Sequence, residues 1–368
     1  MEIRLNRSEF LGELVPMQGI VERKTTIPVL SHLLLTARED KLHLAATDLD
    51  VSLTSRCDAE VKREGGVAVQ AKKLVEIIRS LTAEEVLLTQ DEPRELTIRA
   101  GRSRFKIHGL SPDDFPTLPV VDEDGNNVGI PFGEFRRMIA KILFAVSAEE
   151  SRFQLNGALF KLKNGSVEMV ATDGHRLALV EDRLEASGGS GDDAVLVPRK
   201  ALQELQRLEG DGKIEYRRGE HHLSFRLGRR ELICRILEGT FPDYERVIAK
   251  DNDKKILFER KILSDAVQRV ALLTGDRARA VRLQFAPEQM TISAANPDLG
   301  EAVEEVACDY DGPEFRVGIN PDYLTQFLSV VDTERIRLEL KDENTQCVGY
   351  PFEGSDVRYL CVIMPMRI

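Results

Sequence analysis

The sequence predicts an α+β fold in which three tandem copies of one domain follow one another, each with two helices packed on antiparallel sheet. Three observations lead there: the length, a strand-and-turn segment recurring at constant spacing, and amphipathic helices in step with it. The chain has 368 residues, too many for a single core when a domain takes roughly 100–200 residues. Apolar residues make up 42% and charged residues 31%, the balance of a chain that buries several cores.

The recurring segment reads Leu42-His43-Leu44-Ala45-Ala46-Thr47-Asp48, then Val167-Glu168-Met169-Val170-Ala171-Thr172-Asp173, then Met290-Thr291-Ile292-Ser293-Ala294-Ala295-Asn296-Pro297-Asp298. Asp48, Asp173 and Asp298 stand 125 positions apart. Each copy is strand-like, ends in a polar turn and leads into a second strand-like stretch, at Asp50–Ser55, Leu177–Glu181 and Ala302–Ala307. One hairpin is therefore present three times. Its period far exceeds the roughly 20–50 residues of a solenoid unit, so the copies are whole domains.

The helices follow in order. Phe10, Leu11, Leu14 and Val15 open the first, with Ser8 as its cap and with Gly12 and Pro16 expected to weaken or kink it. Phe135, Met138, Ile139, Ile142, Leu143 and Val146 form its counterpart in the second copy, and Leu263, Ala266, Val267, Val270 and Ala271 that in the third. A second helix per copy falls at Ala71–Leu81, at Pro198–Leu208 with proline in the first turn, and at Pro321–Val330. Later strands correspond at Ser103–Ile107, Arg230–Cys234 and Arg358–Val362. Polar, turn-rich stretches at Asp122–Asn127 and Ala249–Lys254 separate the copies, giving domains 1–121, 128–248 and 254–368. Ser187–Gly191 reads as a mobile surface loop.

Composition excludes several classes. Apolar runs such as Leu33–Leu35 fall far short of the ~20 residues of a membrane span. The opening Met1-Glu2-Ile3-Arg4 lacks the apolar run of a signal peptide, so a cytoplasmic protein with no membrane partner is expected. Cys57, Cys234, Cys308, Cys347 and Cys361 are scattered and odd in number, and read as buried thiols, neither disulfide framework nor metal site. Asp173 and His175, two apart, could serve acid/base or metal chemistry, but Asp173-Gly174 after a strand reads first as a turn, and His221-His222 reads as a polar loop beside Glu220. Phosphate-binding glycine loops and nucleophile elbows are lacking. No catalytic residue, metal or cofactor is expected.

A net charge of −11 opposes coating of nucleic acid by bulk electrostatics. The six helical stretches nonetheless carry +5 together, so the acidic excess lies elsewhere. That polarisation suits helices facing a polyanion, and equally suits Lys and Arg as good helix formers on solvated faces. The Met-rich ending Cys361-Val362-Ile363-Met364-Pro365-Met366-Arg367-Ile368 either completes a strand or offers an adaptable apolar surface.

Four motifs in register with the repeat carry a resemblance: Gly101-Arg102-Ser103-Arg104-Phe105, Ala171-Thr172-Asp173-Gly174-His175-Arg176-Leu177, Thr240-Phe241-Pro242-Asp243-Tyr244 and Val362-Ile363-Met364-Pro365-Met366-Arg367. Together they resemble the bacterial sliding-clamp family, the beta subunits of DNA polymerase III, over the whole chain. The resemblance implies a DNA-clamp domain repeated three times, a head-to-tail homodimeric ring and helices lining its central hole. Such a ring has no enzymatic activity; it encloses double-stranded DNA without sequence preference. It tethers replicative and translesion polymerases, the clamp loader, and mismatch-repair and other proteins with clamp-binding motifs.

By the same resemblance, partner peptides would bind Leu155, Thr172, Gly174, His175, Arg176, Leu177, Pro242, Val247, Val362 and Met364 on one side, and Arg152, Asn320, Tyr323, Gln346, Pro365, Met366 and Arg367 on the other. DNA would meet Lys24, Lys72, Arg136, Arg137, Lys141, Arg199 and Lys200, together with Phe153 and Gln154 in the loop Glu149–Gln154. That loop departs from the family, which often has aromatic and amide groups where this chain has Glu149 and Glu150. The dimer join would set Lys73, Arg102, Arg104, Phe105 and Ile107 against Leu272, Leu273, Glu301, Glu304 and Glu305.

Overall fold

The computed structural model describes residues 1–22, 25–122, 127–149, 151–163, 165–183, 193–275, 279–354 and 357–367. Lys24, most of the Asp122–Asn127 stretch and the Ser187–Gly191 segment lie outside them. The first repeat runs β1 (Glu2–Asn6), α1 (Arg7–Ile20), β2 (His32–Arg38), β3 (Lys41–Thr47), β4 (Val51–Asp58), β5 (Glu60–Arg63), β6 (Gly65–Gln70), α2 (Ala71–Ser80), β7 (Glu85–Thr89), β8 (Glu95–Ala100) and β9 (Ser103–Leu110). The second runs β10 (Val128–Pro131), α3 (Phe132–Ile142), β11 (Gly157–Lys163), β12 (Ser166–Thr172), β13 (Arg176–Asp182), β14 (Asp193–Pro198), α4 (Arg199–Arg207), β15 (Lys213–Arg218), β16 (His222–Leu227) and β17 (Arg230–Arg235). The third runs β18 (Lys254–Glu259), α5 (Arg260–Ala271), β19 (Val281–Ala286), β20 (Gln289–Asn296), β21 (Gly300–Ala307), β22 (Phe315–Ile319), α6 (Pro321–Val330), β23 (Arg335–Leu340), β24 (Cys347–Phe352) and β25 (Arg358–Ile363).

Apart from the extra β5, every repeat is two successive strand–helix–three-strand modules. The sequence disclosed the repeat but not this halving, because the half-modules share a pattern rather than a motif. The chain divides into two compact units, Met1–Gly133 with Ala186–Ser190 and Lys200–Ile236, and Glu134–Glu185 with Gly191–Arg199 and Leu237–Ile368. The division cuts the second repeat because its two three-strand meanders join different sheets. In the first unit one sheet orders β10-β15-β16-β17-β4-β3-β2-β6-β9-β8-β7-β1-β5; in the second, one orders β14-β11-β12-β13-β25-β24-β23-β18 and another β21-β20-β19-β22. Each core forms where strands alternate, as in β2 and β23, and send Leu33, Leu35, Ile336 and Leu338 to the buried face.

Helix α1 differs from the sequence expectation. It continues through Pro16, and its cap is Asn6, whose Oδ1 accepts from the amides of Ser8 at 2.9 Å and Glu9 at 3.1 Å. Ser8 instead donates its hydroxyl to Asn6 at 2.6 Å. Proline at position 16 cannot donate to the Gly12 carbonyl; that carbonyl accepts from Arg230 Nη2 at 3.2 Å, while Arg230 also grips Glu13 at 2.7 and 3.0 Å. The lost helical bond is thus replaced by a side chain from β17, and Phe10, Leu14, Met17 and Ile20 stay buried.

Pro198 likewise ends β14 rather than opening α4, which begins at Arg199. A proline is tolerated there because β14 is a sheet edge with no further donor required. His222 opens β16 opposite Arg235 rather than lying in a loop. The stretch around Asn252 is anchored, for Asn252 is buried and donates to the carbonyls of Glu339 at 2.8 Å and Gln346 at 3.0 Å. All five cysteines are buried free thiols. Among the described residues no helix is long and apolar enough to cross a membrane, and no group of His, Cys, Asp or Glu could hold a metal.

Candidate functional site

The hairpin turn that repeats in sequence repeats in hydrogen bonding. Asp48 Oδ1 accepts from the amides of Asp50 at 3.0 Å and Val51 at 2.7 Å; Asp173 Oδ1 accepts from His175 at 2.9 Å and Arg176 at 3.0 Å. In the third copy Asn296 takes the role for Asp298 at 2.9 Å. The position after the aspartate has left-handed backbone, φ +83 at Leu49 and +89 at Gly174, which glycine adopts without steric cost. Asp173 is therefore spent on closing a turn. Its second oxygen receives Arg176 Nε at 3.1 Å.

Arg176 organises what surrounds that turn. Nη2 donates to the Phe144 carbonyl at 2.5 Å and Nη1 to Gln326 of α6, while the guanidinium lies 4.4 Å from the centre of the Tyr323 ring. Tyr323, also on α6, has its hydroxyl pKa raised by burial and by the nearby Asp173 charge. Arg152 Nη1 reaches the Asp173 carbonyl at 2.9 Å and its Nε pairs with Glu149 at 3.3 Å. The Thr172 hydroxyl donates to the Arg176 carbonyl at 2.6 Å. β13 pairs with β25, setting Arg176 opposite Ile363 and Leu177 opposite Val362, and the Met364 amide donates to the His175 carbonyl at 2.9 Å. Met366 bridges back to Gly318 at 2.8 Å, so the chain end both completes a strand and leaves Met364, Pro365 and Met366 half-buried beside the turn.

Beneath the turn, Leu155, Leu177 and Val362 join Phe241, Tyr244 and Leu360 in one apolar cluster, with Ile248 and Tyr350 packed against it. The 3-10 turn Tyr244–Val247 places exposed Pro242 and half-buried Val247 at the margin. It is pinned by a buried triad, in which Tyr244 donates to Glu168 at 2.7 Å and Lys161 Nζ reaches both, Tyr244 at 2.7 Å and Glu168 at 3.1 Å. Burial pushes the Glu168 carboxyl upward, but the bonds from Tyr244 and Lys161 outweigh it and hold the pKa below the ordinary value. Asn320 caps α6 through Asp322 at 2.9 Å. Gln346 precedes Cys347, which pairs with Ile363, so the ladder sets Gln346 level with Met364. Arg367 is exposed. The second unit thus gathers the expected peptide-binding residues around one surface with an apolar floor and an arginine-tyrosine wall.

The expected DNA contacts are dispersed and partly committed elsewhere. Lys72, Arg136, Arg137, Phe153 and Gln154 are exposed, Phe153 at 71%, although Arg137 pairs with Glu134. Lys141 is a correction: it is buried, 3.0 Å from Asp332, because α3 presents it inward toward Tyr359. Lys200 is another, as it bonds Asp48 and the Ile20 carbonyl at 2.6 Å. Arg199 is half-buried.

Of the expected join, β9 meets β6 only at Gly109 and Leu110, leaving Ser103–His108 without a strand on that side, and Arg102, Arg104 and Lys73 are exposed. β21 is the edge of its sheet. Leu272, Val303 and Leu299 are exposed there at 77%, 65% and 61%, with Glu301 and Glu305 outward, whereas Glu304 is held by Arg269 at 2.5 Å.

Comparison with known proteins decides the family. Residues 1–119, 129–243 and 245–367 match, in order, the N-terminal, central and C-terminal domain models of the DNA polymerase III beta subunit. The chain belongs to that family. The Beta sliding clamp of Pseudomonas aeruginosa is 38% identical over 373 residues and that of Caulobacter vibrioides 36% over 379, each comparison covering both chains in full. Among solved structures, the Pseudomonas aeruginosa DNA polymerase III subunit beta superposes with a TM-score of 0.92 at 36% identity, and a Bartonella birtlesii sliding clamp bound to griselimycin with 0.93 at 33%, again over 100% of each chain.

Against the family pattern, sequence reasoning missed the residues that hold the site rather than line it. Phe144, Gln326, Glu168 and Lys161 lie in separate elements, so only folding brings them to Arg176 and Tyr244. The Thr240–Tyr244 motif did signal the triad's tyrosine.

Proposed function

We propose that this member of the DNA polymerase III beta subunit family is the sliding clamp of a bacterial replicative polymerase, acting in the cytoplasm as a head-to-tail homodimeric ring around double-stranded DNA. Its three domains are taken as 1–121, 128–248 and 254–368. The observation that carries the ring is an accounting of strand edges. The outer strand of each first meander joins the outer strand of the next repeat's second meander, β4 with β17 and β13 with β25. Among the described residues the pattern leaves one unmatched strand of each kind, β21 and the Ser103–His108 part of β9. A second copy turned head-to-tail supplies both missing partners. Arg102 and Arg104 on one edge against Glu301 and Glu305 on the other favour that direction.

The apolar surface around Arg176 is then the tether. A short peptide with Leu and Phe side chains would seat on Leu155, Leu177 and Val362, with Met364 and Met366 adapting to varied partners. Replicative and translesion polymerases, the clamp loader and repair proteins would take turns on it. Tethering converts rebinding into an intramolecular event at high effective concentration. Retention comes from closure rather than charge, so a chain of −11 can hold DNA through weak, sliding phosphate contacts. In this role the chain performs no catalytic step.

The test is retention of the protein, loaded by its cognate loader with ATP, on nicked circular DNA at moderately high salt. Loss only after linearisation supports the ring; equal loss from circular and linear DNA refutes it.

A further inference from the structure

The face of the first unit's sheet turned away from α1 holds a cavity of about 600 Å³ at the join of β4 with β17, lined by Arg38, His43, Arg56, Arg226, Arg229 and Glu231 among others. Four arginines thus meet one carboxylate in a chain whose net charge is −11. That carboxylate is already satisfied: Glu231 accepts from Ser224 at 2.6 Å, Arg217 at 3.1 Å and Arg226 at 3.4 Å. Arg229 is likewise engaged, with Glu9. Arg38 and Arg56 are exposed, and their side chains have no hydrogen-bond or ion-pair partner among the described residues.

The register explains why these two face the same space. Thr36, His43 and Arg56 form one cross-strand row over β2, β3 and β4, and Arg38 lies two residues beyond Thr36 on the same side of β2. Between the arginines, His43 Nε2 is buried without a partner, which is costly for a polar ring atom unless a ligand completes it. With one strand and a two-residue offset between them, the arginines stand about 12 Å apart at the backbone. A chain of two or three phosphates presents several anionic oxygens along its length, so both guanidiniums can engage separate groups on it at once. Guanidinium forks also match phosphate oxygens in geometry. The volume is that of a small-ligand site, roughly 300–1,000 Å³, and repulsion from the acidic remainder is screened beyond about 8 Å at physiological salt.

We propose that this cavity binds a short phosphate chain, a di- or triphosphate group, between Arg38 and Arg56 with His43 beneath it. None of the residues lining the cavity belongs to the proposed peptide-binding surface.

The experiment is isothermal titration of the full-length protein with sodium tripolyphosphate in metal-free buffer at physiological salt. One saturable site per chain is expected, with sulfate binding at least tenfold more weakly. Arg38→Gln and Arg56→Gln should each weaken binding about tenfold, the loss of one charge-assisted contact. Lys250→Gln and Lys255→Gln, each an equal charge change on an exposed residue elsewhere, should each leave affinity within twofold. A nucleoside triphosphate that binds more tightly than tripolyphosphate would place its base against Leu34 and Ala45, which also line the cavity; equal affinity would assign the site to the phosphate chain alone. In the unsubstituted protein the His43 ring resonances should move with saturation, a readout that depends on no variant folding. Absence of saturable binding, equal weakening by both pairs of substitutions, sulfate as tight as tripolyphosphate, or stationary His43 resonances would each overturn the proposal.

Discussion

Replacing Arg176 by alanine isolates the interaction on which the proposed peptide-binding surface depends. The guanidinium gives up the Asp173 carboxylate at 3.1 Å, the Phe144 carbonyl at 2.5 Å, Gln326 and the Tyr323 ring face. The two ion-pair side chains are 10% and 17% exposed, so the loss resembles breaking a buried pair, about 3 kcal/mol at the lower end of the usual range. At 1.4 kcal/mol per decade this is about 100-fold in a local equilibrium. Amide hydrogen exchange reads it directly, because the amides of His175 and Arg176 are held by Asp173 and that of Met364 by the His175 carbonyl. Those amides should exchange about 100-fold faster, while amides in α1 keep the parent rate. Binding of a fluorescent Leu/Phe-containing peptide, followed by anisotropy, should weaken at least tenfold as the competent turn is depopulated. Arg176→Lys keeps the charge but not the planar fork, and should fall between. Exchange at these amides within threefold of the parent, with unchanged peptide affinity, would mean that the β13–β25 ladder alone fixes the turn, and the reasoning would fail.

Three other outcomes follow from the same geometry. Because the Glu168 carboxyl is held below its ordinary value of 4.5, its contribution to stability is complete above that pH and is lost as pH falls through the depressed folded value; urea titrations on the acid side should show this loss in the parent and not in Glu168→Gln, and Tyr244→Phe should cost about 1–3 kcal/mol by leaving the carboxylate short of a donor. Leu49→Gly, at an exposed left-handed position, should stabilise the first unit by about 1 kcal/mol, whereas Gly174→Ala should destabilise by about 1–2 kcal/mol and displace Arg152, whose Nη1 would lie 2.9 Å from the new Cβ; urea midpoints decide both. Val303→Asp on the β21 edge, or Phe105→Asp on β9, should shift sedimentation at micromolar concentration to the single chain and abolish retention on circular DNA, and an unchanged sedimentation coefficient for both would remove the proposed join.

What could be read from the sequence was whatever repeats or alternates. The Thr-Asp turns at Asp48 and Asp173, the helix stripe from Phe135 to Ile142 and the strand at Arg358 needed only local pattern. What could not be read depended on contacts distant in sequence. Pro16 argued for a broken helix because the rescuing donor, Arg230, stands 214 residues away. Lys141 and Lys200 read as free cations because Asp332 and Asp48 come to them only through folding. Asp298 marked the third turn by spacing, yet Asn296 holds it, since that turn is one residue shorter between paired strand ends.

The three turns also show how one repeated element acquires different uses. Each sits where a first meander's middle strand passes to its outer strand, and its fate depends on what lies on that outer strand. At Asp48 the neighbour is β17, and Lys200 covers the carboxylate. At Asp173 the neighbour is β25, whose continuation through Met364 to Met366 turns back against the turn and leaves apolar surface beside it. At Asn296 the outer strand, β21, pairs with β20 on one side and, among the described residues, with no strand on the other. A bare strand edge invites pairing with whatever edge it meets, and in the proposed ring a second copy supplies the strand that the other two turns find in their own chain. The partner binding proposed at the second turn and the self-association proposed at the third would then derive from one rule of sheet extension, applied to the same module with and without a partner strand among the described residues.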